Sequence, residues 1–144
     1  MAPRYEVHGR FELRREGDLL FLDLHGPWNM ECIREAAAQA WPIMLDIQSK
    51  GPVGVIVAAH GSMLGTMDAV QAIREETGRR GQQNRMAVAW VAEPSVEGRQ
   101  VMAMMLQQAY EGLVAFESFD SLSRALTWIR EKTDAWRAEA ATGV

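Results

Sequence analysis

The sequence predicts one α/β domain built on a mostly parallel, five-stranded sheet, with an antiparallel N-terminal edge strand and four main helices. Three observations lead there. Short apolar runs at Leu19–Leu24, Val53–Ala59 and Met86–Ala92 read as strands covered on both faces. A segment of helical periodicity follows each run. Such alternation calls for parallel pairing with right-handed crossovers. The 144 residues suit one domain, residues 1–144, with its core expected at about 11–131. A chain of this length buries roughly 68–70% of its unfolded surface, so it can support a core without metal or disulfide.

The elements follow in order. Phe11-Glu12-Leu13-Arg14-Arg15 alternates apolar and polar residues, as a half-exposed strand does. Glu16-Gly17-Asp18 turns the chain into Leu19–Leu24, making a hairpin. Gly26-Pro27-Trp28 breaks that strand, and Asn29 is a good N-cap with Glu31 in the first turn. Ile33, Ala37, Ala40, Trp41, Met44 and Leu45 recur at helical spacing, and Pro42 is expected to kink or split this helix. Val53–Ala59 is the central strand. After the turn at 60–66, Val70, Ile73 and Thr77 carry a helix stopping at Gly78. Met86–Ala92 is the next strand, and Pro94-Ser95 opens a helix with Glu97 in its first turn. Met102, Met105, Leu106 and Ala109 form its apolar stripe, and Gly112 closes it. Leu113–Phe116 reads as the last strand. Asp120-Ser121 caps a final helix with Leu122, Ala125, Leu126 and Ile129 inside, continuing through the charged tail from Lys132.

Composition narrows the function classes. The hydrophobic fraction of 48% and charged fraction of 24% are ordinary for a globular protein. The net charge is −4 and the pI near 5.4, which speaks against a nucleic-acid partner, since such a partner needs clustered positive charge. Arg14-Arg15 and Arg79-Arg80 are the basic pairs, and each sits among Glu or Gly neighbours. The one cysteine, Cys32, excludes an intrachain disulfide and fits a reducing compartment. It reads as a small residue near a helix start rather than a nucleophile. With the scattered His8, His25 and His60 it makes no zinc site. Met1–Tyr5 shows no secretory pattern, no run approaches the roughly 18 apolar residues of a membrane span, and the expected location is the cytoplasm.

The order of elements resembles that of the STAS domain of anti-sigma-factor antagonists. More closely, the chain looks like the bacterial SpoIIAA-like proteins, which are grouped structurally with the lipid-binding CRAL-TRIO (Sec14-type) domain. The resemblance spans about Phe11 to Glu131. It rests on Leu24-His25-Gly26-Pro27-Trp28-Asn29, on Val53–Ala59 followed by a polar turn and a helix, and on the stretch from Phe116 to Trp128 with its Ala125-x-x-Trp128 helix. It implies a single domain that works by binding. In those antagonists a phosphorylated serine of an Asp-Ser pair opens the second helix. The equivalent stretch here, Gly65-Thr66-Met67-Asp68-Ala69, has no such pair, and Ser62 and Thr66 are the nearby hydroxyls.

The turn His60-Gly61-Ser62-Met63-Leu64-Gly65-Thr66 is the richest in chemistry. His60, Ser62 and Asp68 bring a hydrolytic triad to mind, but nothing in their spacing sets its geometry. Gly-x-Ser-x-Gly is also absent, because Gly61 directly precedes Ser62. Ser62 or Thr66 reads better as a helix cap, with Asp68 complementing the dipole. Gly61 and Gly65 permit close backbone approach to a ligand, and a helix start offers free N–H groups to an anion. No Walker or Rossmann glycine pattern is present, and no cofactor is expected. The turn lies at the carboxyl end of a central strand, where open α/β sheets place ligands. Trp28 and Asn29 end the neighbouring strand, either walling a pocket there or packing and capping the helix. Met104 falls off the inner stripe of its Met-rich helix and is a candidate contact. Trp136 follows Trp128 and Lys132 along one helix face, to form a dimer contact or fold back on the domain.

The expected function is a non-catalytic regulatory or interaction domain meeting a protein partner or a small anionic ligand at Trp28, Asn29, His60, Gly61, Ser62, Gly65, Thr66 and Asp68, with a homodimer as a further possibility. The alternatives are a carrier of an apolar small molecule, like the Sec14-type relatives, and a hydrolase using Ser62 and His60.

Overall fold

The computed structural model describes residues 7–80 and 85–143, with the Arg80 side chain and the Met1–Tyr5 reading outside them. The hairpin of β1 (Arg10–Glu16) and β2 (Leu19–His25) leads into α1 (Met30–Gln48). Then come β3 (Val53–His60), α2 (Met67–Arg80), β4 (Met86–Val91), α3 (Arg99–Tyr110), β5 (Ala115–Phe119) and α4 (Leu122–Ala141).

The sheet order is β1-β2-β3-β4-β5. β1 pairs antiparallel with β2, and every other pairing is parallel. Sequential order with right-handed crossovers puts the three connecting helices on one face. There α1, α2 and α3 pack side by side over Leu20, Leu24, Val55, Val57, Val88 and Trp90. The other face has only α4, which lies on β3, β4 and β5 through Ala125 and Ile129. Leu19 and Phe21 of β2 still join the α4 cluster, and beyond them the register lines up Arg14, Phe21 and Ile56, then Glu12, Asp23 and Ala58, then His25 and His60.

Local signals explain most element ends. Asn29 Oδ1 accepts from Cys32 N (3.1 Å) and starts α1. Ser121 Oγ accepts from Arg124 N and starts α4. Gly17 turns the hairpin with φ +61°.

Several expectations need correction. α2 does not stop at Gly78 but runs to Arg80, and Leu45 and Leu122 stand exposed rather than inside. Pro42 does not split α1, which runs unbroken over 19 residues. Its single missing N–H is outweighed by burial of Cys32, Ile33, Ala36 and Ile47 on the inner side. The third helix starts at Arg99, after Gly98 with φ +77°, so Glu97 precedes the helix instead of joining its first turn. β5 begins two residues late, because the Leu113 and Val114 amides both return to Tyr110 O and close α3. Trp136 folds back on its own domain, half-buried in the α4 cluster with the Arg85 guanidinium 5.8 Å above its ring.

Cys32 is fully buried, and burial together with the Glu35 carboxylate pushes its thiol upward from the ordinary value. A raised, enclosed thiol is a poor nucleophile.

Candidate functional site

The carboxyl ends of β2, β3 and β4 carry three loops, and backbone hydrogen bonds join them into one rim. Gly26 N donates to His60 O (3.2 Å), Trp28 N to Leu64 O (3.0 Å) and Thr66 N to Trp28 O (3.3 Å). Met63 N donates to Glu97 O (2.8 Å), which ties in the loop before α3. Ser62 Oγ donates to Glu97 Oε1 (3.2 Å) and accepts from Leu64 N (3.1 Å). The sequence places these loops at one edge. Their hydrogen bonding makes the edge a preorganised surface rather than three mobile loops.

The expected site residues divide into two groups. Trp28, Asn29 and Ser62 face inward. Trp28 is 1% exposed and packs 5.9 Å from Trp90, so it walls no surface pocket. Asn29 Oδ1 is committed to the His8 and Cys32 amides. Ser62 is 6% exposed. Gly65 serves the fold in the same way, because a Cβ there would come within 2.2 Å of the Trp28 ring. Its missing side chain makes room for Trp28 rather than for a ligand. His60, Gly61, Thr66 and Asp68 are exposed. Gly61 holds φ +72°, and a Cβ there would only touch the Gly26 carbonyl oxygen at 3.7 Å. Thr66 Oγ1 accepts from Ala69 N (3.3 Å), which caps α2, and donates to the Asp68 carboxylate.

His60 joins a cluster that its sequence neighbours do not reveal. Its Nε2 lies 2.9 Å from Asp23 Oδ1, and its ring stacks on His25 at 4.7 Å between centroids. Arg14 NH1 approaches Asp23 Oδ2 at 4.0 Å, with its guanidinium 4.3 Å over Phe21. Arg14, Phe21, Asp23 and His60 line a groove of about 620 Å³ on the open sheet face, bounded by Glu93, Ser95 and the start of α4. The groove mixes Arg14 and His60 with Asp23, Glu93 and Asp120, so it is no anion cradle. Ser62 and His60 share no hydrogen bond among the described residues. The serine is held by Glu97 and Leu64, the histidine by Asp23. That removes the geometry a Ser62–His60 hydrolase would need.

Apolar side chains stand in solvent at the start of α2 and on α3. Met67 is 76% exposed, Met104 70% and Val101 53%. Met67 shares a groove between α2 and α3 with Met105. Val101 lies one helical turn from both Met104 and Met105. Met104 borders a second groove, between α3 and β5. The off-stripe position of Met104 signalled this surface. Met67 carried no signal, because one methionine in a first helical turn reads equally well as core.

Among the described residues no group of His, Cys, Asp or Glu could hold a metal ion. No described helix is long and apolar enough to cross a membrane.

No protein-family model matches the chain, and no curated protein matches it. Solved structures similar in fold include the following two. A protein of the DUF3478 family with a SpoIIAA-like fold from Shewanella loihica PV-4 is 14% identical, covering 90% of this chain and 99% of its own, at a TM-score of 0.50. An anti-sigma factor antagonist from Mycobacterium paratuberculosis is 12% identical, covering 85% of this chain and 94% of its own, also at 0.50. The strand order and antiparallel edge of this chain are those the sequence resemblance implied, and the chain has a SpoIIAA-like fold.

Proposed function

We propose that this chain is a non-catalytic regulatory domain that binds a protein partner at the carboxyl rim of its sheet, on the surface formed by His60, Gly61, Thr66, Asp68 and the starts of α2 and α3. One observation carries the reading. Met67 stands exposed next to a turn fixed by backbone hydrogen bonds, and Val101 and Met104 stand exposed on α3, which the Met63–Glu97 bond ties to that turn through its preceding loop. Adaptable methionine side chains on a preorganised frame suit a protein surface. The anti-sigma factor antagonist among the structural neighbours supports a regulatory role of this kind. The lone buried thiol accords with a reducing, cytoplasmic setting.

A small anion is the weaker occupant. The Asp68 carboxylate already stands at the α2 start and accepts the Thr66 hydroxyl. An anion binding there would meet that negative charge. A second copy of the chain is the competing protein occupant, and it is separable by size.

The test is capture by immobilised full-length chain from lysate of the source cells. Met67→Glu with Met104→Glu is expected to weaken capture about tenfold to a hundredfold, as buried charge does at an interface centre. Glu131→Lys, on exposed α4 surface, should leave it unchanged. Equal capture by the double variant would remove the rim as the binding surface. Capture of the chain itself alone would make it a homodimer face.

A further inference from the structure

We propose that β1 pairs with β1 of a second copy of this chain, antiparallel and in one register, to make a closed two-fold dimer. β1 is an edge strand of the sheet. Among the described elements it packs against β2 and α1 alone, so its outer edge meets solvent. The chain just ahead of it turns away to the Trp28 loop, where His8 O accepts from Asn29 N at 3.2 Å. Glu16 and Leu19 close the two-residue turn of the hairpin and face each other as a hydrogen-bonded pair. The alternation of an antiparallel ladder then aims the backbone groups of Arg14, Glu12 and Arg10 at β2. It leaves the N–H and C=O groups of Phe11, Leu13 and Arg15 pointing outward. An edge of this kind is a ready template for another strand.

The charges on the strand select the partner and the register. Arg10, Glu12, Arg14 and Glu16 are exposed and alternate in sign along one face of β1. Antiparallel pairing centred on Leu13 sets Arg10 opposite Glu16 of the partner subunit and Glu12 opposite the partner's Arg14. By symmetry each pair occurs twice, and the outward backbone groups of Phe11, Leu13 and Arg15 fall in step. Centring the pairing on Glu12 sets Arg10 against the partner's Arg14, and centring it on Arg14 sets Glu12 against the partner's Glu16. Like charges directly opposed across strands are destabilising. Arg14 Nε lies 3.4 Å from Glu16 Oε1 of its own strand, but both side chains are more than half exposed, so that contact exchanges at little cost. The two-fold axis stands normal to the sheet, so association stops at two copies. It joins two five-stranded sheets into one, with both His60 grooves on the same face. This interface is separate from the protein-binding rim, and either assignment can fail alone.

The test is sedimentation velocity of the full chain over a concentration series. A reversible dimer with a Kd on the order of 1–100 μM is expected, as suits a small strand-edge contact. Glu12→Arg sets a second cation against the partner's Arg14 twice per dimer and should weaken association about tenfold. Arg14→Glu should weaken it as much. Combining the two restores opposite signs in the same register and should restore the wild-type Kd, which a general loss of surface structure would not do. Glu117→Arg, on the opposite edge strand β5, should leave the dimer unchanged. So should Met67→Glu with Met104→Glu, which would break a dimer formed through the rim. The proposal is overturned if the wild type stays monomeric up to about 1 mM, or if it grows beyond two copies. It is equally overturned if either single charge reversal leaves the dimer intact, if the double reversal fails to restore it, or if the Glu117 or rim substitutions break it.

Discussion

Replacing Trp28 with alanine is expected to lower the unfolding free energy by about 3–5 kcal/mol, the usual cost of truncating a fully buried tryptophan. For a chain of this size that is a fall in Tm on the order of 10 °C. Trp28 is 1% exposed, packs against Trp90, and fills the space left by the absent side chain of Gly65. Its backbone also bonds Leu64 and Thr66. Losing the ring leaves a void under the turn that presents Thr66 and Met67, so partner binding should weaken with stability. Trp28→Phe should cost clearly less. It keeps most of the apolar bulk, and among the described residues Trp28 Nε1 has no hydrogen-bond partner to lose. Urea denaturation of the three proteins checks this. A Trp28→Ala loss below about 1 kcal/mol, the size of an ordinary surface change, would mean the ring is not the anchor of the rim.

Gly26→Ala should be comparably damaging through a different mechanism. A Cβ at Gly26 would lie 2.2 Å from the Ser62 carbonyl oxygen, 3.1 Å from its carbon and 3.0 Å from Trp28 Cδ1. The nearest atom is backbone, and the Gly26 N–H to His60 O bond holds the two loops together. Neither strand end can retreat without breaking that bond, so the expected cost is about 3 kcal/mol, the upper part of the range for overpacking. Gly78 is the internal control. It sits within α2 and a Cβ there meets nothing within 4 Å. Gly78→Ala should therefore stabilise the protein by up to about 1 kcal/mol. The opposite signs of two Gly→Ala changes, read in one series of urea melts, separate close approach from helix propensity. Equal effects would contradict the packing described for Gly26.

The fold was legible wherever a local signal decides. Asn29 and Ser121 cap helices because their short side chains accept first-turn amides, and Gly17 turns the hairpin because it tolerates positive φ. Local signals misled where tertiary contacts decide. Leu113 and Val114 have strand character, yet their amides finish α3. Glu97 sits where a first-turn carboxylate would, yet it is committed to Ser62 and Met63. That the three loops share one edge followed from strand order alone, since parallel strands put their carboxyl ends on one edge. The membership of the site did not. Asp23 and His25 reach His60 only through the β2–β3 register, which pairs His25 with His60. The inward roles of Trp28 and Ser62 likewise come from how three loops stack, which no single segment encodes.

The central claim is that the rim around Thr66 and Met67 meets a protein partner. Site-specific photo-crosslinking in the source cells tests it most directly, with a photoreactive residue placed in turn at Met67, Met104 and the α4 control Glu131. The account predicts one adduct of the same defined mass from Met67 and Met104 and none from Glu131. No adduct from either methionine position, or an adduct from Glu131 alone, would contradict it.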